Sequence, residues 1–203
     1  MKNHIEKSMT FAGYIKLIDD LLLDGKTTGE IQSEAMFYYG KLNRQRMHRL
    51  EKTVKLSDSL KEIVNRNERT MIWLIITEGW CGDAAQNIPT IERIAAESDL
   101  IKTRYVLRDE NLELMDAHLT NNARSIPKLI ALDAETLKEI GSWGPRPQAA
   151  MDYFHELKAS GLEKPAIMEK IQRWYLEDRE KSLQGEFEIL LSEWSNSKKR
   201  TAV

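Results

Sequence analysis

One cysteine, Cys81, stands between an apolar run and a helical pattern in Met71 to Glu92, MIWLIITEGWCGDAAQNIPTIE. A thiol at a strand-to-helix turn lies in the field of unpaired backbone N–H groups, which favours its thiolate. The chemistry open to it is attack on a disulfide or ligation of a metal. Asp83, two residues on, opposes this, because a carboxylate beside a thiol disfavours ionisation. The two effects pull in opposite directions and predict a thiol near the unperturbed pKa of roughly 8.5. A cysteine kept only for packing is the bland alternative, since a lone Cys is usually a small buried hydrophobe; an exposed turn beside Trp80 argues against it.

Other chemistry-bearing residues give weaker signals. Glu78, Gln86 and Asn87 flank the turn and suit binding of a substrate backbone, although solvated turn residues look the same. Arg124 and Arg146 are cations that the chain could bring near the thiol, where they would offset Asp83. His4, His48, His118 and His155 show no ligand spacing, so no zinc site is expected. Gly25-Lys26-Thr27 looks like the tail of a phosphate loop, but the earlier glycine of that motif would fall on Asp20 and the preceding segment reads as helix. It is read as a helix-helix turn. The basic cluster Lys41, Arg44, Arg46, His48 and Arg49 is read as a solvated helix end that complements the helix dipole.

These residues need elements to position them. Phe11, Tyr14, Ile15, Ile18, Leu21 and Leu22 predict an amphipathic helix, and Ile31, Ala35, Tyr38 and Leu42 a second one from about Glu30 to Thr53. Ser57 is a plausible N-cap for a short helix. Met71 to Ile76 is short and β-branched enough for a strand buried on both faces. A helix with an internal Pro89, a strand at Ile101 to Leu107, a helix around Leu112 to Leu119, a strand at Lys128 to Leu132 and a fourth at Leu137 to Ile140 follow. Ala149, Tyr153, Phe154 and Leu157 mark a helix, Pro165 opens another, and Phe187, Leu190, Leu191 and Trp194 mark the last before a polar tail from Ser195 to Val203.

The chain has 203 residues, 41% hydrophobic and 31% charged, with a net charge of -2. That supports one folded core with appended helices and gives no bulk attraction to nucleic acid or anionic membrane. No signal-peptide h-region or spanning stretch is read, so a cytoplasmic protein is expected. With one cysteine, any disulfide must be intermolecular.

The order β-α-β-α-β-β-α, with Trp80-Cys81-Gly82-Asp83-Ala84 after the first strand and Ile126-Pro127 opening the third, resembles the thioredoxin superfamily over about Glu68 to Lys158. The resemblance is to a bacterial branch with helical extensions. It implies an α/β thioredoxin-like fold, a central mixed sheet flanked by helices. Residues 1–67 would form an N-terminal helical extension packed on the core, 68–160 the thioredoxin-like core, and 161–203 a C-terminal extension. It also implies that Cys81 is the nucleophile, that Trp80, Gly82, Asp83, Ile126, Pro127 and Trp143 bind substrate, and that Pro127 is cis. Gly141-Ser142-Trp143 resembles the loop after the last strand, beside the cysteine.

The departures are chemical. Ala84 stands where the family's resolving cysteine would, so a mixed disulfide on Cys81 cannot be released internally. Ile75 stands where thioredoxins carry a buried acid. Three readings compete: a monothiol thiol-disulfide oxidoreductase resolved by an external thiol; a non-catalytic module taking an extended peptide in the groove between the Cys81 turn and Pro127; and an iron–sulfur or metal carrier through paired Cys81. No cofactor is expected. The expected partners are a protein or a low-molecular-weight thiol or disulfide, with no nucleic acid and no membrane, and the chain a monomer or homodimer.

Overall fold

The computed structural model describes residues 1–196. The polar tail read from Ser195 onward therefore falls almost wholly outside the described residues. Four helices come first: α1 (Lys2–Glu6), α2 (Phe11–Leu23), α3 (Glu34–Thr53) and α4 (Asp58–Asn65). The sheet follows, as β1 (Met71–Thr77), α5 (Gly82–Ala95), β2 (Ile101–Leu107), α6 (Leu112–Asp116), β3 (Lys128–Asp133) and β4 (Glu139–Trp143). Then come α7 (Gln148–Ala159), α8 (Lys164–Asp178) and α9 (Lys181–Asn196).

Hydroxyl caps start the early helices. Thr10 accepts from the Gly13 N–H, Ser33 from Met36 and Ser57 from Leu60, each satisfying one orphan donor and contributing about 1 kcal/mol. Strand order is β2-β1-β3-β4, with β1 parallel to β2, antiparallel to β3, and β3 antiparallel to β4. This is the expected mixed sheet flanked by helices. Central β1 is buried on both faces apart from half-buried Ile72. The outer edge of β2 is covered in part by Met9, which exchanges backbone hydrogen bonds with Tyr105; a paired edge presents fewer open groups to other chains.

The helices outside the sheet share its core. Tyr14 and Ile18 of α2, Met47 of α3, Leu60 and Val64 of α4, and Phe187, Leu191 and Trp194 of α9 are buried in one cluster with β1, β3 and α5. Trp73 of β1 meets Phe187 at 5.5 Å and Trp194 at 6.1 Å between ring centroids. Full burial of each such side chain contributes about 1.5–3 kcal/mol. A smaller cluster of Leu157, Ile167, Ile171 and Tyr175 joins α7 to α8.

Two expected elements differ. The fourth strand is not Leu137 to Ile140 but begins at Glu139, because the Asp133 carboxylate accepts from the backbone N–H groups of Glu135 and Thr136 and holds a turn through Leu137, which has φ of 56°. As a result Gly141, Ser142 and Trp143 are strand, not loop. The second difference is the connector at Gly25 to Gly29. It belongs to a longer loop reaching Ser33, closed by the Gln32 side chain bonding Thr27 and Gly29. Buried Thr28 in that loop accepts from the Gly79 N–H at 2.8 Å, just ahead of Cys81.

Candidate functional site

Strand β1 delivers Thr77, Glu78, Gly79 and Trp80 to the turn, and α5 starts at the residue after Cys81. Cys81 caps that helix: its Sγ accepts from the Ala84 N–H at 3.4 Å and its S–H donates to the Ile126 carbonyl at 3.3 Å. The thiol is not on an exposed turn as expected; Cys81 is only 7% exposed. Burial pushes its pKa up to about 12, with the Asp83 charge adding to the rise and the Ala84 and Asp83 N–H groups pulling against it. The opposing effect of Asp83 is as expected. Burial, which the sequence pattern did not reveal, outweighs the helix field and carries the thiol well past 8.5.

Asp83 is itself buried and held from three sides. Arg146 Nε donates to Oδ1 at 2.9 Å and Nη2 to Oδ2 at 2.7 Å, and the Tyr175 hydroxyl donates to Oδ1 at 3.1 Å. Burial pushes the carboxyl up from its ordinary value and Arg146 draws it back; the bidentate pair keeps it an anion at neutral pH. Asp83 in turn raises the Arg146 pKa against the effect of burial. The Arg146 guanidinium also lies 4.3 Å from the Phe154 ring centre. Asn87 completes the network by donating to the Tyr175 hydroxyl at 3.0 Å and to the Asp83 carbonyl at 2.9 Å.

The remaining candidates separate. Glu78 is buried and its Oε1 accepts from the Asp109 N–H, while Gln86 donates to Gln172 Oε1 at 2.8 Å. With Asn87 these serve the protein's own packing and are not presented to a groove. Arg124 pairs with Asp116 on the surface, far from any role at the thiol. Trp143 lies in β4 opposite Leu129, and its Nε1 donates to Glu186 of α9 at 2.6 Å. The later start of β4 makes it a strand residue, and its ring meets Phe187 of α9 at 5.6 Å. Ile126 and Pro127 do face the turn, and the Ile126–Pro127 bond is cis, but both residues are buried. Gly144 presses so close that a Cβ there would lie 2.2 Å from the Pro127 carbonyl oxygen. Gly144 thus packs directly on Pro127, and Cys81, Ile126 and Pro127 all have little surface exposed.

An opening exists on the other side of Cys81. A cavity of about 640 Å³ is walled by α3, the Trp80–Asp83 turn and α8, with Met36, Tyr39, Arg46, Met168 and Gln172 among its lining. Trp80, Gly82 and Asp83 border it as well. The Arg108 guanidinium backs Trp80 at 4.8 Å from the ring centre. The solvated reading of the basic cluster holds for exposed Lys41, His48 and Arg49 and fails for Arg44, which is mostly covered and paired with Asp19 and Glu51, and for Arg46. Arg46 is half-buried at this cavity, tied by Nη1 to Asn43 Oδ1 at 2.9 Å, and burial lowers its pKa from the usual value. Arg46, Gln172 and Tyr175 carry no local signal of a site, because tertiary packing brings them to the turn: α3, held by Asn43 to the Gly79 carbonyl, carries Arg46, and α8 carries Gln172 and Tyr175. Among the described residues no group of three or more His, Cys, Asp or Glu could hold a metal ion, and no helix is long and apolar enough to cross a membrane.

A Trp-Cys-Gly turn opposite a cis Ile-Pro on a mixed four-stranded sheet defines a thioredoxin-like protein. A family model described as thioredoxin matches residues 29–158, and the chain belongs to that family. Among solved structures it is similar to an HIV epitope scaffold (16% identity, TM-score 0.56, 99% of this chain and 98% of that one). It is also similar to a protein of unknown function from Pseudomonas aeruginosa (17% identity, TM-score 0.52, 96% and 99%). At these identities the likeness is one of fold. A search of curated proteins finds no match.

Proposed function

We propose that this protein is a thioredoxin-fold binding module in which the Cys81 side of the turn receives a ligand and the thiol forms part of the wall without turning over disulfides. The observation that carries this reading is the state of Cys81: buried, its S–H donated to the Ile126 carbonyl, its pKa raised by burial and by Asp83. A neutral thiol is a poor nucleophile. Ala84, at 0% exposure in the resolving position, offers no second sulfur. The cavity beside the turn is of the size that small-molecule sites take, roughly 300–1,000 Å³.

Iodoacetamide alkylation of Cys81 followed by mass spectrometry against pH tests the reading. Folded protein is expected to resist at pH 7–8 and to react quantitatively once denatured, with a folded-state midpoint above about pH 9.5. Rapid modification of folded protein at pH 7 would overturn it.

One observation favours a second reading: Cys81 borders the cavity, so a disulfide-bearing ligand would meet the sulfur. The protein would then be a monothiol oxidoreductase. The Cys81 thiolate would attack the ligand disulfide and expel one sulfur as a thiolate, and an external thiol would break the mixed disulfide and regenerate Cys81. That reading requires wild-type protein to retain reducible adducts that Cys81→Ser does not. Either reading fits a reducing cytoplasm and a protein or low-molecular-weight partner. Sharing a metal cluster through paired Cys81 finds no support in a sulfur that is buried and directed at Ile126.

A further inference from the structure

The cavity beside Cys81 holds an arrangement of charge that its own residues do not satisfy. Its two acids are already paired: Asp83 by Arg146 at 2.7 Å and Glu169 by Arg173 at 3.7 Å. Its two cations are not. Among the described residues, Arg46 makes its one hydrogen bond to the neutral amide of Asn43, and neither Arg46 nor Lys164 has a carboxylate within 4.0 Å.

A second donor converges with Arg46. Gln172 Nε2 is buried and has no hydrogen-bond partner. Its Oε1 accepts from Gln86, which turns the amide so that Nε2 faces Gly82. The bare α-carbon of Gly82 leaves a recess between the two groups: a Cβ built there would lie 3.0 Å from Gln172 Nε2 and 3.8 Å from Arg46 Nη1. A planar oxyanion in that recess would reach both nitrogens, and a buried donor left unpaired is costly, so an acceptor is favoured there. The walls around it are otherwise largely apolar, from Met36, Tyr39, Trp80, Pro165 and Met168. Methionine and aromatic side chains accept varied apolar shapes.

We infer that this cavity binds a small organic carboxylate with an apolar body, its carboxylate on Arg46 Nη1 and Gln172 Nε2 above Gly82 and its body along Met36, Tyr39, Trp80 and Met168. The inference rests on the reading of the Cys81 side as a ligand site and names its ligand class. Guanidinium supplies the charge and the fixed donor geometry that a carboxylate matches. Lys164 at the rim adds attraction during entry without a contact at the bottom of the recess. Charge selects against amines, and the missing Cβ at Gly82 makes room for the headgroup.

The test uses isothermal titration of the full chain at pH 7.5 with three probes of one chain length: decanoate, decanol and decylamine. Decanoate is expected to bind one to one, at least about tenfold tighter than decanol, with decylamine weakest, since tenfold corresponds to one charge-assisted hydrogen bond. Arg46→Gln should weaken decanoate about tenfold or more and leave decanol unchanged. Gly82→Ala keeps every charge and fills the recess, so it should weaken decanoate similarly; it covers the case in which the Arg46 variant folds poorly, and thermal melts report folding of both. No saturable decanoate binding, equal binding of decanoate and decylamine, or indifference of decanoate to both variants would each overturn the inference. Alkylation of Cys81 reads the broader proposal separately: a reactive thiol with selective decanoate binding removes only the non-catalytic reading, and an inert thiol without decanoate binding removes only the ligand class.

Discussion

Replacing Arg146 with methionine isolates the electrostatic centre of the site. Asp83 is 7% exposed and Arg146 11% exposed at the side chain, so the pair is buried and its charges are poorly screened. Methionine keeps the aliphatic stem but removes both donors, at 2.9 and 2.7 Å, leaving Asp83 with Tyr175 alone. Breaking a buried pair from one side costs about 3–5 kcal/mol, because a buried charge is left unpaired. For a chain of this size each kcal/mol moves the melting temperature by about 2–4 °C, so Arg146→Met should melt about 6–20 °C lower at pH 7.5. The loss must depend on pH in a defined sense. Without Arg146 only the Tyr175 hydrogen bond offsets the upward push of burial on Asp83, which is the largest effect, so its folded pKa lies above its unfolded value near 3.9. Stability is then fully present below the unfolded value and lost as pH rises through the folded one, so the variant's deficit shrinks from pH 7.5 to pH 4.5. Asp83→Asn combined with Arg146→Met removes both charges and should recover part of the loss. Differential scanning calorimetry at the two pH values reads all three quantities. A deficit under about 1 kcal/mol, or one that grows on acidification, or a double variant no better than Arg146→Met, would refute the account of a buried, anionic Asp83.

Three further outcomes follow from other parts of the fold. Gly144→Ala should destabilise the protein by more than about 2 kcal/mol in urea titration, since φ of +114° strains an L residue and the new Cβ meets the Pro127 carbonyl oxygen. Trp143→Phe removes the Nε1 donation to Glu186 and should cost about 1–2 kcal/mol in the same assay while leaving Cys81 alkylation unchanged, because Trp143 sits between β4 and α9. Asp133 has its pKa held down to about 2 by the Thr136 N–H first, with Arg69 and the Thr136 hydroxyl helping. A lowered folded pKa stabilises above the unfolded value and is lost as pH falls through the folded one, so wild type should lose stability between about pH 4 and 2 and Asp133→Asn should lose that component of the slope.

What could be read from the chain and what could not divide along physical lines. The apolar run from Met71 to Ile76 marks a fully buried strand because nothing but two-sided burial accommodates it, and β1 lies there. The Cys81 turn and the cis Ile126–Pro127 follow from short, local patterns. That Trp143 is strand and not loop cannot be read from the chain, because the start of β4 depends on how the Asp133 carboxylate folds the preceding turn, and local sequence does not contain that bond. The burial of Cys81 is hidden for a different reason. Its surroundings are distant in sequence: the thiol meets the Ile126 carbonyl across 45 residues, and Tyr175 reaches the neighbouring Asp83 across 92. On a helix taken alone, Arg46 is one more surface cation; it becomes a site residue only because α8 lies opposite α3 across the turn.

The same docking of α8 links the substitutions in the motif to one another. Asp83 in the first turn of α5 would be an expensive buried charge without Arg146 and Tyr175, and Tyr175 arrives only with α8. Once Asp83 is held there as an anion, its field adds to burial in keeping the neighbouring thiol protonated. A second cysteine at Ala84 would then have no mixed disulfide to resolve, because a protonated Cys81 does not attack a disulfide to form one. Meanwhile the Gly144–Pro147 loop, which delivers Arg146 to Asp83, packs against Pro127 through Gly144. The pairing that stabilises Asp83 therefore also fixes the loop that packs on Pro127, and α8, which supplies the third hydrogen bond, walls the cavity beside Cys81. The open space and unpaired charge beside the turn are accordingly on the Arg46 side, where the proposed ligand is placed.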